Sequence, residues 1–221
     1  MKRAVLSFAA AIALSSCDAP GRRSAEALPI RPAEVADFAT LFSQNCSGCH
    51  GNGGKGALAV GIGRPVYLAI ADDATIRGTI ESGRGGTSMP AFAQKAGGML
   101  TEAQIEILVR GIRNWSKPVE ENPPPYASSG AGDPSRGHDV FAASCTSCHG
   151  KEGRGARAIA DPSYLSLVTD QHLRTVIIAG MTQLGMPDWR SHNKPLSDTD
   201  VTDLVAWLSS QREALSAQLN H

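Results

Sequence analysis

The chain has no excess of charge of either sign: its 221 residues carry 21 lysines and arginines against 21 aspartates and glutamates. It lacks the basic character that nucleic-acid binding requires, so no nucleic acid is expected among its partners. Aromatic residues are few, with three tryptophans, three tyrosines and five phenylalanines, whereas glycine (23) and proline (13) are common. This composition predicts a loop-rich chain. The apolar run of residues 4–14 is too short to span a bilayer as a mature helix.

Cysteine is also scarce, and four of the five cysteines fall in two copies of one motif. Each copy has two cysteines three positions apart, followed directly by a histidine: Cys46, Cys49 and His50, then Cys145, Cys148 and His149. Cysteines with this spacing lie on one face of a helical turn, where both thiols can add to the two vinyl groups of a porphyrin. The histidine can then bind the iron. The C-x-x-C-H pattern is the signature of covalent c-type haem attachment, so the sequence predicts two covalently bound haem c groups.

Two other kinds of site also use paired cysteines. A zinc site of the common type has its second pair about 15–20 residues after the first, whereas the two pairs here are 99 residues apart. A dithiol redox motif does not require a histidine at the next position, and would not need it twice. The two motifs therefore favour haem attachment.

The haem motifs belong to an internal repeat that covers most of the chain. The later matches are Pro65-Val66-Tyr67-Leu68 with Pro162-Ser163-Tyr164-Leu165, Met89-Pro90 with Met186-Pro187, and Leu100-Thr101-Glu102 with Leu196-Ser197-Asp198. The offset between matching positions changes only from 99 to 97 to 96, so each insertion or deletion is expected in a loop. Apolar residues follow Thr101 and Ser197 at helical spacing, and both residues are good N-caps, which predicts a final helix in each repeat.

The repeated pattern resembles class I c-type cytochromes, arranged here as a tandem di-haem protein, over nearly all of residues 34–210. The resemblance implies an all-α fold of two tandem cytochrome c domains, each wrapped around one covalent haem. In each domain the motif ends the first helix and a last helix crosses it. The expected boundaries are a first domain at 34–117, a second at 134–212 and a tail at 213–221. Residues 118–133, rich in proline, glycine and serine, are typical of a linker.

The resemblance also implies the axial ligands of each iron. His50 and His149 are the proximal ligands, and Met89 and Met186, each followed by proline, match the methionine that binds from the opposite side. Ligation by histidine and methionine fills both axial positions and raises the reduction potential. Two alternatives stay open: the methionines only pack in the core, or Met181 replaces Met186 in the second domain.

Four further residues are expected near the haems. The resemblance implies that the carbonyl groups of Pro65 and Pro162 accept a hydrogen bond from the second ring nitrogen of each proximal histidine, which fixes the orientation of the ring. It also implies that Tyr67 and Tyr164 bond a haem propionate. The alternative for both tyrosines is a core aromatic ring with its hydroxyl group at the surface.

The fifth cysteine, Cys17, closes a targeting segment. A short basic start precedes the apolar run, and Leu14-Ser15-Ser16-Cys17 resembles a bacterial lipobox. This predicts a signal peptide at 1–16, a lipidated Cys17 as the mature N-terminus, and a tether at 17–33 on the periplasmic side of a bacterial membrane. Asp18 favours the inner membrane over the outer. The alternative is an ordinary signal peptide that is cleaved nearby.

The resemblance implies single-electron transfer rather than catalysis. The expected partners are a reductase or dehydrogenase as donor and a terminal oxidase or another cytochrome as acceptor, and the lipid anchor provides contact with the membrane. A di-haem peroxidase needs one iron with an open or displaceable site, which two Met-Pro ligands disfavour. A fixed cytochrome subunit of an oxidase or dehydrogenase complex is the remaining alternative, because the tether and the balanced charge suit both a mobile and a docked protein.

The two domains are expected to pack their first and last helices with large and small residues exchanged. In class I cytochromes a glycine on the first helix meets an aromatic residue on the last, and Gly137 and Trp207 fit these positions in the second domain. In the first domain the corresponding positions hold Phe38 and Gly111. A packed core tolerates a rearrangement that conserves volume. The alternative is that Phe38 faces solvent or the other domain.

Overall fold

Helices provide almost all the regular structure of the chain, which a computed structural model describes for residues 30–155, 157–192 and 194–219, with side chains described as far as Arg212. The α-helices of these residues are α1 Phe38–Asn45, α2 Ser47–His50, α3 Pro65–Ile70, α4 Asp73–Ser82, α5 Glu102–Arg113, α6 Pro134–Ser144, α7 Thr146–His149, α8 Pro162–Ser166, α9 Asp170–Ala179 and α10 Asp198–Leu219. Short 3-10 helices are Pro32–Glu34, Asn52–Gly54, Gln94–Ala96, Lys151–Gly153 and Thr182–Leu184. The predicted all-α class is confirmed.

Several helices begin at a residue whose side chain accepts a backbone hydrogen bond. At the start of α1, the Asp37 carboxylate accepts a hydrogen bond from the amide of Thr40 at 2.8 Å. Before α5, Thr101 and Gln104 form a reciprocal capping box. Ser197 and Asp200 exchange the same pair of bonds at the start of α10. The N-caps predicted at Thr101 and Ser197 are therefore confirmed.

The apolar stripe of α5 forms the centre of the first repeat. Its predicted core residues are at most 1% exposed: Ile105, Leu108, Val109 and Ile112. Helix α5 packs against α1 and α4. Just beyond its end, Trp115 packs edge-on against Phe42, with ring centroids 4.6 Å apart. Trp115 is a core residue that the helical pattern of α5 did not identify, because it lies past the end of the helix.

The crossing of α6 and α10 organises the second repeat. A Cβ on Gly137 would overlap the carbonyl oxygen of Asp203 and would lie 2.9 Å from Cβ of Trp207, so only glycine lets the two backbones approach this closely. The ring of Trp207 packs on Phe141 with a centroid distance of 4.4 Å. The predicted contact between Gly137 and Trp207 is confirmed. Helix α10 continues to Leu219 and so includes most of the predicted tail.

The first repeat contains the exchanged version of this crossing. The ring of Phe38 on α1 occupies the space that a side chain at Gly111 on α5 would need. The same ring packs edge-on against Trp115 at a centroid distance of 5.2 Å. The alternative in which Phe38 faces solvent is therefore wrong.

The residues predicted as a linker lie against the second repeat. Arg174 of α9 is only 2% exposed and donates to the carbonyl oxygens of Pro125 at 2.8 Å and Tyr126 at 3.1 Å. It also pairs with Asp198 at the start of α10. Because buried backbone carbonyls need donors, Arg174 explains why a segment with the composition of a spacer is held in place.

Both repeats belong to one compact unit, Ala33–His221. Helix α3 of the first repeat packs against α9 of the second. Arg190 of the second repeat also pairs with Glu121, on the segment between the repeats, at 2.9 Å. The two repeats are thus joined by direct contacts as well as by the chain between them.

The predicted signal peptide at 1–16 and Cys17 lie outside the described residues. Within residues 30–155, 157–192 and 194–219, no helix combines the length and the apolar character needed to cross a membrane. Lipidation of Cys17 therefore stays a prediction.

Candidate functional site

Each C-x-x-C-H motif forms one short helical turn after a kink. Helix α1 ends at Asn45, and α2 contains the rest of the motif, with the amides of Cys49 and His50 donating to the carbonyl oxygen of Cys46 at 3.2 Å and 3.0 Å. The turn after α6 repeats this geometry with the same two distances. The two cysteines of each motif therefore share one face of a turn, as thioether attachment to a porphyrin edge requires.

The first cysteine of each motif has a raised thiol pKa. All four motif cysteines are free of disulfide bonds. Burial, with a smaller contribution from Cys49, raises the pKa of Cys46 to about 12. Burial, with a smaller contribution from Cys148, raises the pKa of Cys145 to about 11. A reactive dithiol has a lowered thiol pKa, so these pKa values argue against a redox dithiol and are compatible with thiols that end as thioethers.

The ring of each motif histidine is held by a backbone carbonyl group. Nδ1 of His50 lies 2.9 Å from the carbonyl oxygen of Val60, and Nδ1 of His149 lies 2.7 Å from that of Arg157. A carbonyl oxygen can only accept, so in the neutral imidazole Nδ1 carries the proton and Nε2 keeps a free lone pair for a metal. Burial lowers the pKa of His50, which keeps the imidazole neutral and able to bind iron.

These bonds correct the prediction for Pro65 and Pro162. Both prolines are the first residue of a helix, α3 and α8, and the carbonyl oxygen of Pro65 accepts from the amide of Val119 at 3.3 Å. The actual acceptors lie five residues before each proline. Because any residue type can supply a backbone carbonyl, proline did not mark the position in this chain.

A glycine after each histidine allows the loop to return to the motif. Gly51 and Gly150 have φ values of +74° and +75°, where other residues are strained. The loop then folds back, and the amides of Gly56 and Gly155 donate to the carbonyl oxygens of the two motif histidines at 2.7 Å and 2.8 Å. The glycines of the repeat are therefore explained by the tight loop that brings the carbonyl acceptors to the histidine rings.

Met89 and Met186 occupy equivalent turns after α4 and α9. In each repeat the Met-Pro pair runs over the glycine that ends the preceding helix. A Cβ on Gly83 would lie 2.5 Å, and one on Gly180 2.7 Å, from the carbonyl carbon of the nearby proline. Both methionines are half-buried, whereas Met99 is 74% exposed. Equivalent placement is what a shared role as axial ligand requires, and that role stays a prediction.

Met181 lies on the same turn as Met186. Their backbones exchange two hydrogen bonds, at 3.1 Å and 3.2 Å, around Gly185 in the left-handed conformation. In the first repeat the position that matches Met181 holds Arg84. The equivalence with Met89 therefore favours Met186 as the ligand, with Met181 as the alternative.

The predicted tyrosines differ in burial. Tyr67 is 5% exposed, and burial raises the pKa of its hydroxyl group, opposed by Arg84 and Arg113. Tyr164 is half-buried, and burial likewise raises its pKa. Within the described residues neither hydroxyl group has a hydrogen-bond partner from the protein. The role in binding a propionate stays a prediction for both.

Two polar groups that the sequence did not identify also fit an acidic prosthetic group. The indole Nε1 of Trp189, three residues after Met186, is buried and has no partner in the part of the chain that the structure describes. The half-buried guanidinium of Arg84 bonds to Thr79 at 3.2 Å and forms no salt bridge with a described carboxylate. Buried donors normally have acceptors, and the propionates of a bound haem would supply them. The donor set therefore fits haem.

Paired thiols on one turn, a histidine ring held through Nδ1 and an all-α repeat around each motif define a tandem di-haem class I c-type cytochrome, with two covalently bound haem c groups. The family model described as "Cytochrome C oxidase, cbb3-type, subunit III" matches residues 33–110 and 132–208. The chain belongs to this family.

Two relatives agree with this assignment. The chain is 28% identical over 198 residues to the cbb3-type cytochrome c oxidase subunit CcoP of Azospirillum brasilense, covering 79% of this chain and 61% of that subunit. It is 33% identical over 96 residues to cytochrome c6 of a Synechococcus species, covering 40% of this chain and 80% of that protein. A solved chain of the reducing HAO-like protein complex of Kuenenia stuttgartiensis is similar with a TM-score of 0.47 and 18% identity, covering 83% of this chain and 99% of that one.

Proposed function

We propose that this chain is a membrane-tethered, periplasmic di-haem cytochrome c that passes single electrons between respiratory or dehydrogenase partners. The observation that carries the proposal is the presence, in each repeat, of a histidine with a free Nε2 and a methionine turn at an equivalent position. When bound, haem iron supplies a reversible one-electron couple between its ferrous and ferric states.

In each repeat, different residues would attach the haem, bind its iron and orient the histidine ring. The proposed attachment points are Cys46, Cys49, Cys145 and Cys148, and the proposed axial ligands are His50, Met89, His149 and Met186. The carbonyl groups of Val60 and Arg157 hold the histidine rings in one orientation. Binding of Met89 or Met186 to the iron would exclude small ligands and favour the ferrous state. This arrangement suits electron transfer better than peroxidase chemistry, which needs an open position.

A terminal oxidase is the acceptor that we propose, because a relative of this chain is by name a subunit of a cbb3-type cytochrome c oxidase. The donor is a reductase or a dehydrogenase. The same relative favours a second candidate, in which the chain is a fixed subunit of such a complex. The chain spans 61% of that subunit's length, so the activity of the whole oxidase is a proposal here.

Membranes that contain a cbb3-type oxidase but lack this chain provide the test. We expect the reduced di-haem protein to be re-oxidised by these membranes in the presence of oxygen, and not by the same membranes inhibited with cyanide. A mobile carrier should wash off the membranes with salt, whereas a fixed subunit should co-purify with the oxidase in detergent. Consumption of hydrogen peroxide without re-oxidation by any membrane would contradict the proposal and support a peroxidase.

A further inference from the structure

The side chain of Gln183 reaches from the second repeat to the first. It lies on the 3-10 helix Thr182–Leu184, between Met181 and Met186. Its amide Nε2 donates to the carbonyl oxygens of Ala57 at 3.3 Å and Ala59 at 3.4 Å, in the loop that follows the first haem motif. These bonds join positions 126 and 124 residues apart in sequence, so they belong to the contact between the two repeats.

The contact is close as well as polar. A Cβ on Gly56, which has a φ of +97°, would lie 2.7 Å from Cδ of Gln183. The amide plane therefore rests on the glycine backbone. Its Oε1 atom is buried and has no partner within the described residues. A surface glutamine would keep both amide atoms in water, so this side chain is held at the junction by its neighbours.

Each end of the Gln183 contact leads directly to residues of one haem site. On the first repeat, the amide of Ala59 donates to the carbonyl oxygen of Cys49 at 2.9 Å, and the next residue, Val60, accepts from Nδ1 of His50. On the second repeat, Gln183 lies inside the turn closed by the backbone bonds between Met181 and Met186. The histidine loop of the first site and the methionine turn of the second site therefore meet at Gln183.

We propose that Gln183 is a positioning residue that fixes the methionine turn of the second haem site against the histidine loop of the first, so that the two sites exchange electrons within one molecule. The inference rests on the proposed function as an electron carrier. In the exchange, one electron leaves the ferrous iron of one site and is gained by the ferric iron of the other, so one oxidation balances one reduction. No proton and no further reagent is required.

Other contacts hold the remainder of the junction. The salt bridge between Arg190 and Glu121 and the packing of α3 on α9 do not involve Gln183. The guanidinium of Arg84 lies 5.3 Å from the ring centroid of Tyr126, on the segment between the repeats. Loss of the Gln183 contact should therefore loosen one part of the junction without separating the repeats.

The test uses the full chain loaded with both haems. A pulse of a one-electron reductant supplies less than one electron per molecule, and the absorption bands of the two haems then report how the electron redistributes. We expect a rate independent of protein concentration in the wild type and a several-fold lower rate in Gln183→Ala, with both irons still six-coordinate. Amide hydrogen exchange at Ala59 should become about tenfold faster in the variant, the factor expected for about 1.4 kcal/mol of lost contact.

Three further variants separate positioning from general damage. Gln183→Glu keeps the shape of the side chain but removes its N–H donors, so its redistribution rate should fall as in Gln183→Ala. If Gln183→Ala fails to load haem, Gln183→Glu replaces it in the test. Gln183→Lys returns a donor to the two carbonyl groups and should recover part of the rate. Thr182→Ala changes an exposed side chain on the same turn and should behave as wild type.

The outcomes distinguish this inference from the proposed function. Unchanged redistribution and unchanged amide exchange in both Gln183→Ala and Gln183→Glu would overturn the role of Gln183. A wild-type rate that rises with protein concentration would show exchange between molecules, which overturns the inference and leaves the carrier function intact. Failure of either haem to accept and return an electron reversibly would overturn both.

Discussion

The ring of Phe38 lies on Gly111, at the place that a side chain on α5 would need. In the second repeat the small residue is on the other helix, where Gly137 of α6 meets the backbone of α10 beside Trp207. The two repeats thus use one crossing with the large and small partners exchanged. An added side chain at Gly111 would therefore overlap the ring of Phe38.

Gly111→Ala should destabilise the protein, because the new methyl group overlaps the Phe38 ring. Overpacking of a tight core costs about 1–3 kcal/mol, and Gly111→Trp should cost at least as much. Chemical denaturation of the haem-loaded protein measures the free energy of unfolding. The matched control is Gly78→Ala in the middle of α4, where an added Cβ meets nothing within 4 Å. This control should gain about 0.5–1 kcal/mol, and equal effects at the two positions would contradict the packing account.

Replacement of an axial methionine should open one iron to carbon monoxide. Met89→Ala and Met186→Ala are each expected to convert one low-spin haem into a site that binds the gas, while the other haem stays closed. Absorption spectra of the reduced protein measure this directly. Met99→Ala is the control, because Met99 is 74% exposed. If Met186→Ala stays closed and Met181→Ala opens, the ligand of the second iron is Met181.

Arg174 should be essential for the packed segment between the repeats. The variant Arg174→Leu removes the ion pair with Asp198 and the donor to the carbonyl oxygen of Pro125. The carbonyl oxygen of Tyr126 keeps Gln171 as a donor at 2.8 Å, and Asp198 keeps Ser129 at 3.0 Å. Asp198 is 32% exposed, so the carboxylate left behind stays partly hydrated. Loss of these bonds to a charged donor should lower the unfolding free energy by about 1–3 kcal/mol. Protease cleavage within residues 118–133 should also become faster. Arg110→Ala, which breaks a pair whose arginine is 64% exposed, should cost about 0.5 kcal/mol or less.

Acid should weaken the helix starts that aspartates cap. The carboxylate of Asp161 accepts from the amides of Ser163 and Tyr164 at 2.8 Å and 3.2 Å. The bond from Tyr164 makes the larger contribution and that from Ser163 the next, and both lower the pKa of Asp161 below its usual value. A lowered folded-state pKa stabilises the protein above the unfolded-state pKa, about 3.9 for aspartate. This stabilisation is lost as the pH falls through the lower, folded-state pKa.

Asp161→Asn keeps an acceptor but no longer titrates, so its unfolding free energy should fall less steeply in acid than that of the wild type. Denaturation from neutral pH to about pH 2 measures both slopes. Asp139→Asn, on the exposed side of α6, should leave the slope unchanged. Parallel curves for the wild type and Asp161→Asn would contradict the capping account.

Cys17→Ser should release the protein from the membrane. If Cys17 carries the lipid anchor, the variant loses every acyl chain and the di-haem protein should appear in the soluble periplasmic fraction. Fractionation followed by haem staining measures this. Cell fractions in which the variant stays with the membrane would rule out anchoring through Cys17.

Features with a local chemical cause were predictable from the sequence. The spacing of Cys46, Cys49 and His50 follows from attachment chemistry, and the buried face of α5 follows from helical periodicity. The acceptors for the histidines were not predictable, because the carbonyl groups of Val60 and Arg157 carry no residue-type signal.

Contacts across the two repeats were not predictable either. A repeat describes what each copy shares, whereas Gln183 and Arg174 act where the copies and the intervening segment meet. Gln183 matches Gly86 of the first repeat, and Arg174 matches Arg77, which pairs with Glu106 instead, so neither junction contact has a counterpart in the first repeat. Trp115 was missed for a similar reason, because the pattern of α5 ends before it.

The ligation state of both irons in the oxidised and reduced wild-type protein is the most direct test of the account. Magnetic circular dichroism during a potentiometric titration reports the ligands and the electron count of each haem together. We predict two one-electron transitions, both from low-spin iron with histidine and methionine ligands, and no reaction with carbon monoxide. A high-spin or bis-histidine iron in either repeat, or a site that binds carbon monoxide, would contradict the account.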